Sequence, residues 1–237
     1  MANNYFQFKQ FTIYQDLCSM KVCTDACLLG AYAAGKMDDT VLNVLDIGTG
    51  TGLLALMLAQ KTNATIDALE VNTDAARQAT ENVQRSPWKE RVKVYNSSVQ
   101  DFEPEKKYDL IISNPPFFEG DLRSANKQKN EAKHDSTLTL KELADGIVKN
   151  LSEDGIAVVL LPYHRTDYFG AVCEPAGLFA PEILKLKQSP HHAFFRSIVV
   201  LSKQSGTLKE DSMFIHDEQR QYSAKFTALL KDYYLKL

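Results

Sequence analysis

The chain has 237 residues and is 44% hydrophobic, enough to bury the core of one full-sized α/β domain. Its 27 Lys+Arg against 30 Asp+Glu leave a net charge of -3, which excludes a globally basic nucleic-acid binder and requires any such contact to be a local patch. No run approaches the ~20 apolar residues of a membrane span, and residues 1–9 lack the apolar segment of a secretory signal; cytoplasmic residence without a membrane partner is the expectation.

Residues 6–13 alternate apolar and polar side chains, as a short strand or hairpin arm does. Residues 21–25 lead into an Ala/Leu-rich helix over 26–34, with Thr24 or Asp25 placed to cap it. Two readings stay open there: capping alone, or a helix start whose free N–H groups face a cofactor. Cys18, Cys23 and Cys27 cluster nearby, with Cys173 far off. They form no paired Cys-x-x-Cys knuckle and read as buried reduced thiols rather than as a zinc site.

Residues 41–47 form a strand, 48–52 a tight glycine loop and 53–60 an apolar helix. Such a unit opens a nucleotide-binding βαβ fold, because glycines let the backbone approach a ligand and the helix N-terminus points at it. Asp46, Gly48, Gly50 and Gly52 spell D-x-G-x-G-x-G, not G-x-G-x-x-G. A carboxylate there opposes a pyrophosphate and favours an amino-bearing ligand. That argues against NAD and for S-adenosylmethionine. The strand over 64–70 ends on Glu70, about where a ribose-binding carboxylate belongs; the alternative is a solvated strand end. A helix over 73–84 follows, capped by Asn72 or Thr73, and a third strand over 91–96. In the loop after it, Ser98 or Asp101 is placed to accept from the cofactor's adenine amine, with Val99 beside them.

The apolar strand over 108–113 stops at Asn114-Pro115-Pro116-Phe117. Two prolines in succession stiffen the chain and remove two N–H donors. The Asn114 side-chain oxygen and the Pro115 carbonyl then form two acceptors beside the Phe117 ring, a set that suits a flat group carrying an NH2. Residues 121–141 are polar and include Arg123, Lys127, Lys129, Lys133, His134 and Lys141. They read either as a solvated loop or as a lid that grips phosphates. Beyond them come a helix over 138–151, a turn at Asp154 and Gly155, a buried strand over 156–161, and a helix over 168–176. An antiparallel pair over 183–186 and 195–201 closes the sheet, with His191, His192 and Arg196 on its turn. An amphipathic helix over 222–233 packs back on the domain. No linker or repeat interrupts residues 1–237, so one domain is expected.

The glycine loop, Glu70 and Asn114-Pro115-Pro116-Phe117 together resemble the S-adenosylmethionine-dependent amino-methyltransferases with an Asn-Pro-Pro-Tyr/Phe motif. Residues 8–16 and 20–25 narrow this to a resemblance to the bacterial valine-tRNA adenine-37 N6-methyltransferases, which runs through nearly the whole chain. The resemblance implies a Rossmann-like class I fold: a seven-stranded, mostly parallel sheet, helices on both faces and an antiparallel C-terminal hairpin. It implies S-adenosylmethionine as cofactor, tRNA as partner and no metal. The catalytic set would be Asn114, Pro115 and Phe117. The cofactor would meet Lys21, Thr24, Asp46, Gly48, Gly50, Gly52, Glu70, Ser98, Val99 and Asn114. Arg123, Lys127, Lys129, Lys133 and His134 would hold RNA. Cys23 and Ala26 stand where this family more often has glycines, Ser98 where many relatives have an aspartate, and Phe117 where tyrosine is commoner. Rival readings are methylation of a guanine N2 amine in RNA, methylation of a glutamine amide on a release factor, and a non-catalytic binding module. The release-factor enzymes usually carry a long N-terminal helical domain, whereas only about 40 residues precede the glycine loop here. Pure binding has no need of two convergent amine acceptors.

Overall fold

The computed structural model describes residues 4–18, 20–116 and 138–237. Among them, a hairpin of β1 (Tyr5–Gln7) and β2 (Thr12–Tyr14) precedes α1 (Thr24–Ala34). Then follow β3 (Asn43–Ile47), α2 (Leu53–Ala59), β4 (Thr65–Leu69), α3 (Thr73–Gln84), β5 (Val92–Tyr95) and β6 (Tyr108–Ser113). The C-terminal half contains α4 (Leu140–Asn150), β7 (Leu151–Pro162), α5 (Thr166–Cys173), β8 (Phe179–Lys187), β9 (Phe194–Ser202), β10 (Lys209–Phe214) and α6 (Ala224–Leu230).

The main sheet has the order β10-β8-β9-β7-β6-β3-β4-β5. β7, β6, β3, β4 and β5 run parallel, and β9 runs antiparallel to both β7 and β8. That is the expected class I plan with its antiparallel hairpin, but with eight strands rather than seven. The extra strand, β10, pairs parallel with β8 at the edge. Its sequence Lys-Glu-Asp-Ser-Met-Phe is polar, and only Met213 is buried, so no alternation announces it; main-chain pairing to β8 makes the strand.

Helix starts follow local chemistry. The Asn72 side chain accepts from the Ala75 N–H at the head of α3, and Thr139 with Glu142 closes a reciprocal capping box on α4. At α1 the expected cap shifts: Cys23 is the cap residue without a side-chain bond, and Thr24 is already helical. Asp25 instead pairs with Arg196 Nε at 2.9 Å. Arg196 lies in β9, not on the turn; only His191 and His192 of that group precede the strand. The turn at Asp154 and Gly155 falls inside β7 as an irregularity. Tyr108 faces Leu151 and Leu110 faces Ile156, so β7 bulges.

Every residue of α2 is buried, as befits a helix covered on all sides. It is held between the sheet and α1, α6 and the N-terminal hairpin in one apolar layer, while α4 and α5 fill the other face. Among the described residues no helix is long and apolar enough to cross a membrane.

Candidate active site

The glycine loop leaves the end of β3 through three left-handed residues, Gly48, Gly50 and Gly52, with φ of 74°, 57° and 82°. Only glycine adopts these conformations without steric cost. A Cβ at Gly48 or Gly50 would meet nothing within 4 Å, so the loop lines an open cradle. Asp46, the last acid of β3, is fully buried. Its Oδ2 accepts from the Thr49 hydroxyl at 2.5 Å and the Ala55 N–H at 3.2 Å, while its Oδ1 is buried with no partner among the described residues. Burial pushes its carboxyl up to about 7, because a charge removed from water is penalised.

Glu70 directly follows β4, beside the loop. The Gly50 N–H donates to its Oε2 and the Asn72 N–H to its Oε1, both at 2.9 Å. The carboxylate is thus held rigidly, with a lone pair left on each oxygen. The next residue, Val71, is 57% exposed, an apolar surface at the same strand end that the sequence reading passed over. An apolar residue directly after the acid that follows β4 is the sequence signal for it.

After β5, the Ser98 hydroxyl donates to Asp101 Oδ2 at 2.6 Å and accepts from the Asp101 N–H at 3.1 Å. Ser98 is therefore engaged within its own turn, and the Asp101 carboxylate is the exposed acceptor. The Val99 side chain is buried against α4, where a Cβ at Gly146 would come within 2.7 Å of its Cγ2. Its side chain belongs to the core.

Asn114 follows β6 directly. Ile47 faces Ser113 across the β3–β6 ladder, and the Ser113 hydroxyl donates to the Ile47 carbonyl at 2.8 Å. The glycine loop and Asn114 thus leave adjacent strands at the same level, about 5 Å apart in strand spacing. Among the described residues, Asn114 Oδ1 is buried and accepts from no donor. An unfilled buried acceptor costs about 1–3 kcal/mol, a cost that a ligand's N–H would offset. A shallow open depression adjoins it, lined by Pro115, Pro116, Leu138, Leu140, Leu161, Pro162 and Arg165.

The N-terminal segment reaches this edge by way of α3. Asn82 accepts from the Tyr14 N–H and donates to the Tyr14 and Thr51 carbonyls, and Gln78 accepts from the Leu17 N–H. Lys21 donates to the Gln15 carbonyl and lies close enough to Cys18 to oppose Glu70 there; burial first, then Glu70, lifts that thiol to about 11. Thr24 is exposed at the start of α1, with the Tyr234 hydroxyl of the tail beside it. Phe117, Arg123, Lys127, Lys129, Lys133 and His134 lie outside the described residues.

Residues 33–141 match the family model described as methyltransferase small domain. The chain is 42% identical to the tRNA1(Val) (adenine(37)-N6)-methyltransferase of Trichodesmium erythraeum and 40% identical to that of Cytophaga hutchinsonii, each over the full length of both proteins. Among solved structures, a "predicted O-methyltransferase" from Agrobacterium tumefaciens aligns with a TM-score of 0.69 at 16% identity, over 88% of this chain and 96% of that one. A ribosomal protein L11 methylase from Lactobacillus delbrueckii aligns at 0.55 and 18%, over 75% and 77%. The structural likenesses establish the fold, and the full-length identities establish the family: the chain belongs to the tRNA1(Val) (adenine(37)-N6)-methyltransferases.

Proposed function

We propose that this chain transfers a methyl group from S-adenosylmethionine to the N6 amine of an adenine in tRNA, at the position 37 for which its relatives are named. One observation carries the reading: Asn114 holds a buried acceptor, unpartnered among the described residues, at the strand end next to the glycine loop.

The residues present fit the cofactor. Gly48 and Gly50 form an open cradle, and the orphaned Asp46 Oδ1 offers an ammonium the partner it lacks. The remaining lone pairs of Glu70 suit ribose hydroxyls, Val71 offers an apolar face to the adenine ring, and Asp101 an acceptor for its amine. S-adenosylmethionine supplies a methyl group already activated on a sulfonium.

The chain's own task is the target nitrogen. The N6 lone pair of adenine is delocalised into the ring and is a poor nucleophile. Donation of both amine protons, one to Asn114 Oδ1 and one to the Pro115 carbonyl, favours a localised lone pair directed at the methyl. The same acceptors stabilise positive charge as it develops on the nitrogen. Holding both partners in line supplies much of the remaining acceleration. No strong base is required, since the alkylated nitrogen is acidic. The target base must leave its stack to reach Asn114. The four free thiols accord with a cytoplasmic location.

Asn114→Ala should leave cofactor affinity within about twofold and lower methyl transfer by about 100-fold or more, the scale of losing one transition-state hydrogen-bonding group. Calorimetry reads the first and labelled transfer to tRNA the second. Loss of cofactor binding in this variant would overturn the assignment. Transfer to ribosomal RNA or to protein, but not to tRNA, would overturn the substrate.

A further inference from the structure

Beyond β6, the ligand edge of the sheet continues through the ends of β7, β9 and β8. β7 stops at Pro162 opposite Arg196, and Phe194 at the start of β9 faces Lys187 at the end of β8. Tyr163, directly after Pro162, packs its ring on Phe194 with centroids 5.1 Å apart. Lys187 Nζ stands 4.6 Å from the Phe194 centroid, and Lys185 Nζ 6.0 Å from both rings. Arg165 closes the near end, where it lines the depression with Pro115 and Pro116.

The charges here are not all compensated. Lys185 pairs with Glu210 at 2.8 Å. Lys187 contacts the Pro190 carbonyl at 3.4 Å and the Phe194 ring, and it meets no carboxylate among the described residues. On a chain of net charge -3, a run of cations interleaved with aromatic rings is a local exception. Cations spaced along aromatic platforms are the chemistry of single-stranded nucleic acid, whose phosphates take the charge and whose bases take the rings. An acidic peptide would use the charge and leave the rings without a role. The span from β6 to β8 is three strand spacings, about 14 Å, within reach of the nucleotides next to a base held at Asn114.

We propose that Tyr163, Lys185, Lys187 and Phe194 form a track for the unpaired nucleotides flanking the methylated adenine, with Lys187 on a phosphate and Phe194 beneath a base. The inference rests on the tRNA reading above, and its test separates the two. Lys187→Met removes the charge and keeps the apolar stem; Lys187→Arg restores the charge. With tRNA as substrate, the methionine variant should raise KM about fivefold and reduce the salt slope of RNA binding by about 1, the signature of one lost phosphate contact. Its kcat, cofactor affinity and melting temperature should be unchanged, and the arginine variant should recover the wild-type KM. An unchanged KM and salt slope for Lys187→Met, in a preparation whose wild type methylates tRNA, would overturn the track and leave the function standing. A wild type that methylates no RNA would overturn both.

Discussion

Asp46 shows how much a single buried acid controls. Its raised carboxyl, at about 7, lies above the ~3.9 of an unfolded aspartate. Below about pH 4 both states are protonated and burial carries no charge penalty. As pH rises towards 7, the unfolded chain ionises first and binds fewer protons, so the ligand-free protein loses stability across that window. Asp46→Asn should remove this dependence. Melting temperatures of the two ligand-free proteins at pH 5 and pH 8 check it: the variant should gain on the wild type at pH 8 relative to pH 5. A constant difference would rule out the effect. Asn114 shows the converse case, an acceptor that is neutral at all pH and unsatisfied until a donor arrives. Its position was legible from the tetrapeptide. That its oxygen is buried and unpaired was not, because burial depends on what packs above it.

Among the elements, the contact between α4 and the loop after β5 is the tightest that bears on the site. Gly146 permits it by lacking a Cβ, which would approach Val99 Cγ2 to 2.7 Å and Cγ1 to 3.1 Å. Gly146→Ala should cost about 1–3 kcal/mol through overpacking, and Val99→Ala in the same chain should recover part of it; denaturant melts of the single and double variants measure the coupling. Nothing in the local sequence distinguishes Gly146 from a tolerated helical glycine, since the contact is made by a residue nearly fifty positions earlier. Asn72 is the opposite case. The sequence places the cap of α3 at Asn72 or Thr73, and Asn72 makes it, because the bond reaches only three residues along the chain.

At the scale of the molecule, the tail completes the core. Phe226, Leu230 and Tyr233 are buried to within 1% exposure, and the Tyr233 hydroxyl donates to the Met57 carbonyl of α2 at 3.1 Å. The Lys9 N–H donates to the Tyr233 carbonyl, so tail and N-terminal hairpin share one layer over α2. Burial of three such side chains is worth about 1.5–3 kcal/mol each, a large part of the ~5–15 kcal/mol that keeps a domain folded. Removing residues 223–237 should abolish cooperative unfolding, as read by circular dichroism. Tyr233→Phe, which loses only the hydroxyl, should cost about 1 kcal/mol.

The sequence alone determined the β3–glycine loop–α2 unit, the acid after β4 and the acceptor corner after β6. Each is written in contiguous residues whose backbone preferences or missing N–H groups act locally. The tertiary structure alone decided that Asp25 pairs with Arg196, that Thr24 lies beside Tyr234 of the tail, that the Val99 side chain is core and that β10 extends the sheet to eight strands. Those outcomes rest on groups brought together across tens to hundreds of residues, where the partner, not the residue's own propensity, sets the energy.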